Sequence, residues 1–282
     1  MAMTVTLARL RSAAWLGWQV ESNWADPVLF TIYVVSRPLA TAFILVAMYH
    51  AVRGPGAHDP IFAGFFVANA FHNYVNTVMV GMGWAVFEER EEYETLKYVY
   101  AAPIGIFTYL VGRSGVKFAL ASLSMLITLT VGWLALGVRW EWANVQWWPL
   151  VLTIALGLAA ALFLGLLLAG WALVLTRAAM LVLEGVTVSL YLLCGVIFPI
   201  DLLPRVLQWV SFGLPFTWWY EALRRFLLGK GSSAVLASIP DATLLGILAG
   251  VTVVFSIASF QGYFALERHA RRLGRLDQTT LY

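Results

Sequence analysis

Apolar positions along the chain gather into six long runs, at residues 33–52, 61–87, 112–138, 149–175, 180–198 and 242–266. Each approaches or exceeds the ~20 residues with which a helix crosses the roughly 30 Å hydrocarbon layer of a bilayer. The longer runs are accommodated by tilt. Ahead of them, in residues 4–24, Leu7, Leu10, Ala14 and Val20 alternate with Arg9, Arg11, Ser12, Gln19 and Glu21, and Trp15, Trp18 and Trp24 are interleaved. That pattern predicts an amphipathic helix in the headgroup layer. It lacks the sustained apolar core and cleavage site of a signal peptide. Asp26-Pro27 ends it and opens the next helix, and Arg37-Pro38 falls near the start of the first expected span, where a long arginine can snorkel to the interface.

Composition makes the same point more bluntly. Of 282 residues 61% are hydrophobic and 12% charged, with a mean hydropathy of +0.80, whereas soluble domains are about half apolar and a quarter charged. The expectation is a single all-α integral membrane domain of six transmembrane helices. The lone cysteine, Cys194, lies in an apolar run, forms no intrachain disulfide and reads as a small packed residue.

The polar interruptions carry the chemistry. Between the second and third runs stand Glu88, Glu89, Arg90, Glu91, Glu92, Tyr93, Glu94 and Thr95, continuing to Pro103. Isolated charges are costly in hydrocarbon, about 2.5–3.5 kcal/mol each even on the lenient insertion scale. Residues 88–103 are therefore expected in water, as a helix with Glu88, Glu91, Glu92 and Thr95 near one face. Residues 200–241 are too broken by Pro204, Pro215, Gly229 and Gly231 for a full span. They are also too rich in Leu202, Leu203, Leu207, Trp209, Val210, Phe212, Trp218 and Trp219 for a solvated loop. A pair of short helices dipping into the outer leaflet reconciles the two, since irregular backbone at depth is tolerated where protein or a wet cavity covers it. It reads either as an outer gate or as a packed lid.

Lysine and arginine set the orientation. With the N-terminus cytoplasmic, Arg9, Arg11, Arg90, Lys97, Arg113, Lys117, Arg177, Arg268, Arg271, Arg272 and Arg275 fall inside. Arg53, Arg139, Arg205, Arg224, Arg225 and Lys230 fall outside. Tryptophans mark both interfaces: Trp84 and Trp171 near inner ends, and Trp133, Trp140, Trp142, Trp147 and Trp148 near outer ones. The chain is expected in the cell membrane with both termini, including the tail 267–282, in the cytoplasm.

Within the second run, Asn69, His72, Asn73 and Asn76 share one helical face at spacings of three and four. Such groups face protein or a cavity, as a translocation path, a polar dimer seam or interhelical glue. Glu184 reads as a member of a structural pair, with Arg177 one candidate partner, or as a proton carrier. No partner ligands recur around His72 to hold a metal. The chain carries no Walker A motif, nucleophile elbow or metalloprotease pair; Gly229-Lys230-Gly231-Ser232 lacks the Walker spacing. It is therefore not expected to be an enzyme, nor to bind nucleic acid.

Three blocks resemble the permeases of type-two ABC exporters, which move drugs, glycolipids and polysaccharides. One runs from Gly195-Val-Ile-Phe-Pro199 and Pro204 through Leu207-Gln208-Trp209 and Leu214-Pro215 to Glu221, Arg224 and Leu228-Gly229. The second is Glu88–Glu94 followed by Thr95-Leu96, Pro103 and Gly112-Arg113. The third is Asp26-Pro27 with Arg37-Pro38. The blocks span the chain in the family's order. One departure is that relatives usually carry Gly-Thr where this chain has Glu94-Thr95. The resemblance implies that Glu88, Glu89, Arg90, Glu91, Glu92, Glu94 and Thr95 couple to an ATPase. It assigns Pro199, Pro204, Pro215, Glu221 and Arg224 to the outer block. It further implies a separate ATP-binding subunit that holds ATP and Mg²⁺, a second permease copy or paralogue, and membrane lipid around them. The expected cargo is a hydrophobic or amphipathic drug-like or lipid-like molecule moved outward, with a lipid-linked glycan or polysaccharide as the alternative. An ion-driven secondary transporter would show paired buried carboxylates or an inverted repeat, and a membrane enzyme clustered catalytic groups; neither pattern is visible.

Overall fold

The computed structural model describes residues 2–23, 26–53, 60–135, 142–175 and 178–275. All regular structure among them is helical. In chain order the helices are α1 (Ala2–Ser22), α2 (Pro27–Arg53), α3 (Pro60–Phe87), α4 (Leu96–Ala101), α5 (Ile106–Ala135), α6 (Trp147–Val174), α7 (Ala179–Leu193), α8 (Arg205–Phe212), α9 (Pro215–Leu228), α10 (Ala234–Ala237) and α11 (Asp241–Arg272). A π-helical turn, Glu88–Glu92, continues α3.

Among the described residues, four helices are both long and apolar enough to cross a bilayer: Pro27–Met48, Ile106–Leu134, Trp147–Val174 and Asp241–Arg272. Together with the composition, they make this a membrane protein. α3 spans 28 residues without a charge, but its three asparagines and His72 dilute its apolarity. α7 has 15 residues, about 22 Å, so it falls short of the hydrocarbon thickness on its own. It stops early because Gly195 adopts φ +75°, the left-handed conformation with which glycine ends a helix.

Cross-bundle pairs give the helix directions. Thr187 and Tyr191 of α7 donate to Asn76 and Asn69 of α3 at 2.9 and 2.8 Å. The order of these pairs makes α3 and α7 antiparallel, and Tyr74 with Ser122 and Arg113 with Glu88 do the same for α3 and α5. α6 runs parallel to α3 and to α11, whose Phe260 lies against Phe163 with ring centroids 6.3 Å apart. So α3, α6 and α11 point one way and α2, α5 and α7 the other.

Without a water-driven hydrophobic effect inside lipid, close backbone approach holds such helices together. α6 supplies it, burying Gly157, Ala160, Ala161, Gly165, Ala169, Gly170 and Ala172. Trp219 of α9 occupies the space a Cβ at Gly157 would need. α1 follows α5 in parallel, Gly112 fitting against Ala13, where an added Cβ would stand 2.6 Å from Ala13 Cβ. Higher up, Glu21 pairs with Lys117. Trp15 and Trp18 stay exposed on its far side.

Several boundaries differ from those the hydropathy suggests. Asp26 Oδ1 accepts from Val28 N at 2.9 Å, capping α2 with Pro27 at its first position. α2 therefore begins six residues before the expected span at residue 33. Arg37 consequently lies ten residues, about 15 Å, along the helix. α11 continues through Arg272, into residues expected as tail. Trp24, Trp140, Arg139, Arg177 and residues 276–282 lie outside the described residues.

Candidate functional site

The C-terminal ends of α3, α6 and α11 meet the start of α5 in a knot of charge. Arg113 closes on two carboxylates, Nη1 on Glu89 and Nη2 on Glu88. The Tyr109 and Thr95 hydroxyls also donate to Glu89. Arg90 pairs with Glu91 at 2.7 Å through Nε and donates Nη1 to the Ala172 carbonyl at 2.7 Å. Arg275 reaches the α6 carbonyl two residues further on, that of Val174. Both arginines thus satisfy orphan carbonyls at the negative end of α6. From α11, Arg271 sits over the Tyr100 ring of α4 at 4.6 Å and bonds Glu267 at 2.7 Å. Burial pushes the Glu88 carboxyl above its ordinary value, against the opposing pull of Arg113 and Lys117.

This corrects one expectation. Residues 88–91 are not a solvated acidic face: Glu88, Glu89, Arg90 and Glu91 are 9%, 4%, 2% and 2% exposed. The insertion penalty applies to lone charges, whereas these carboxylates have guanidinium and hydroxyl partners in forked geometry. What reaches solvent is the turn beyond, at Glu92, Tyr93, Glu94, Lys97 and Tyr98, with Thr95 half-buried behind it. Glu94 holds φ +53°, alone in that region among the described non-glycine residues. Glycine adopts that conformation without strain.

The polar face of α3 is spent on neighbouring helices. His72 Nδ1 lies 3.0 Å from the Tyr220 hydroxyl of α9, and its ring packs 4.7 Å from that of Tyr191. Asn69 and Asn76 accept from α7 as described. Asn73 faces a cavity, whose lining Asn76 also joins. Glu184 is exposed on α7, and its candidate partner Arg177 is outside the described residues.

At the opposite end of the bundle α9 is buried, and Arg224 is its hub. Its Nε donates to the Gly64 carbonyl at 3.0 Å, and Nη2 to the carbonyls of Gly195 and, at 3.3 Å, Val196. Nη1 donates to Ser232 Oγ at 2.7 Å, and that hydroxyl donates to Glu221 Oε2 at 3.3 Å. Glu221 and Arg224 are thus bridged by a serine, while the direct ion pair of Glu221 is with Arg225 at 3.5 Å. Pro199 and Pro204 flank a 3₁₀ turn, Ile200–Leu202, and Pro215 opens α9 at its first turn. Arg224 fastens the irregular backbone after α7 to α3 and satisfies carbonyls that would otherwise be orphaned at depth.

Sequence reading missed Tyr109 and Lys117 as members of the knot, Tyr191 and Tyr220 as partners of α3, and Arg225 as the partner of Glu221. Their only advance signal is a polar group on an otherwise apolar helix. Among the described residues, no three His, Cys, Asp or Glu side chains converge to hold a metal ion.

The architecture is that of an all-helical membrane permease, charged at one end of its bundle and closed by buried short helices at the other. The family model for ABC-2 type transporters matches residues 13–228, and the chain belongs to that family. A comparison with curated proteins finds none that matches. A permease of this family is a transport subunit that pairs with an ATP-binding subunit.

Proposed function

We propose that this chain is the permease of an ATP-driven exporter that moves a hydrophobic or amphipathic molecule, drug-like or lipid-like, outward across the cell membrane. In this reading α2, α3, α5, α6, α7 and α11 are the six spans, and α8–α9 form a re-entrant outer hairpin centred on Arg224. The charged end and both termini face the cytoplasm. Two permease copies, or this chain and a paralogue, stand on two ATPase subunits that hold ATP and Mg²⁺.

One observation carries the reading. The segment between α3 and α5 presents an exposed tip, Glu92–Glu94 with Lys97 and Tyr98, on a base whose charges are all buried in pairs. Through Arg113, Arg90 and Arg271 that base touches α5, α6 and α11. A push on the tip by a closing ATPase dimer would therefore be transmitted to several spans as one body rather than absorbed by a loop. Glu88, Glu89, Arg90, Glu91 and Thr95 hold the base, and Glu92 and Glu94 meet the partner. Co-purification tests it: the tagged chain, expressed in its native host, should recover an ATP-binding subunit in stoichiometric amount, and Glu92→Lys/Glu94→Lys should lose it. Recovery of no ATPase by the unmodified chain would reject the assignment.

A further inference from the structure

α2 and α3 touch at one end only. Ala42, Leu45 and Val46 in the second half of α2 pack with Phe62, Ala63 and Phe66 of α3. Towards its N-terminus α2 parts from α3 and leaves a cavity of about 160 Å³ between α2, α3 and α5. Its lining is far more polar than a lipid-facing surface, with Tyr33, Arg37, Asn73, Asn76, Lys117 and Ser124 around one space.

The charges in that space do not cancel. Glu21, the only acid in the lining, pairs with Lys117. Arg37 has one side-chain hydrogen bond among the described residues, to the Tyr33 hydroxyl at 3.3 Å, and no carboxylate partner there. A guanidinium without a carboxylate partner on a membrane-crossing helix is met by water, a headgroup or another anion, and Arg37 is exposed to one. Arginine is also the side chain best shaped to fork onto a carboxylate, phosphate or sulfonate. The amide nitrogen of Asn76 remains as a donor, since its Oδ1 is taken by Thr187. Val28, Leu29 and Ile32 of α2, outside that lining, are exposed and apolar, at 66%, 60% and 56%, a surface for a tail rather than a head.

We infer that this cleft binds the acidic headgroup of an amphiphile, with Arg37 on the anion and the alkyl tail along α2. The inference rests on the exporter reading for its biological meaning, but its test does not. The full chain, purified without any ATPase and held in phosphatidylcholine nanodiscs, would be titrated with dodecyl phosphate, dodecylamine and inorganic phosphate. Dodecyl phosphate should bind at least about tenfold tighter than either of the others. Arg37→Gln should weaken it about tenfold and Arg37→Lys by less, the ammonium keeping the charge but losing the fork. Asn73→Leu, which fills the cavity and leaves the charge, should weaken it too, and serves if Arg37→Gln fails to fold. Adding phosphatidylglycerol to the discs separates the two sources of such a head: competition identifies a bilayer lipid and its absence a non-lipid solute, and both support the site. Equal binding of dodecylamine, equal binding of inorganic phosphate, or indifference to both Arg37→Gln and Asn73→Leu would overturn the inference. Failure here leaves the ATPase co-purification intact, and failure of that co-purification leaves this binding intact.

Discussion

Arg113 of α5 grips Glu89 just beyond the end of α3, with both side chains almost wholly buried, 3% and 5% exposed. The same guanidinium also holds Glu88, so one residue ties the turn after α3 to α5. Removing one partner from a buried pair strands the other, at a cost of about 3–5 kcal/mol. Arg113→Met should lower the thermal stability of the detergent-solubilised protein by an amount in that range. Arg113→Lys should fall between it and the unmodified protein, because an ammonium cannot fork onto two carboxylates. A loss under about 1 kcal/mol for Arg113→Met would mark the pair as solvent-screened instead.

Glu94 sits at φ +53°, where side chains other than Asn and Asp are strained by about 1–2 kcal/mol. Glu94→Gly should therefore leave melting unchanged or raise it by a degree or two, the relief being partly offset by the greater freedom of glycine in the unfolded chain. Glu94→Val, β-branched, should lower it. Thermal unfolding of both variants side by side decides this, and a stabilising valine would contradict the backbone geometry.

Much of the plan was legible because lipid imposes long apolar runs, and the 3/4 spacing of Asn69, His72 and Asn76 does place them on an inward face. Their partners were not legible, because Tyr191, Tyr220 and Thr187 lie more than a hundred residues away. The acidic turn was misread for a related reason. Glutamates in sequence look solvated until Arg113, Tyr109 and Thr95 are folded onto them. The helix start at Asp26-Pro27 was legible, but not that Arg37 would line a cavity, because that lining is assembled from α3 and α5 as well as α2.

Burial, the largest influence on Glu88, raises its carboxyl above the ordinary 4.5. The folded protein therefore binds this proton more tightly than the unfolded chain does. The resulting stability is complete below about 4.5 and is lost as pH rises through the raised value. The melting temperature of the unmodified protein minus that of Glu88→Gln should thus decline from pH 4 to pH 7. A difference that grows over that range would mean that attraction to Arg113 outweighs burial.

His72 and Tyr220 make a buried hydrogen bond between α3 and α9 at 3.0 Å. Tyr220→Phe keeps the ring but leaves His72 Nδ1 unsatisfied, which costs about 1–3 kcal/mol. Denaturant or thermal unfolding should show that loss, and His72→Leu combined with Tyr220→Phe should recover part of it. Full additivity of the two changes would argue against a direct bond.

The central claim is that this permease is moved by an ATPase acting on the tip beyond Glu91. Its most direct measurement is uptake of a fluorescent amphiphile into inside-out vesicles containing the chain and its ATPase. Uptake should require ATP, fall several-fold with Glu92→Lys/Glu94→Lys at equal permease content, and vanish without the ATPase. Uptake that continues after ATP is depleted, driven by an ion gradient, would contradict it.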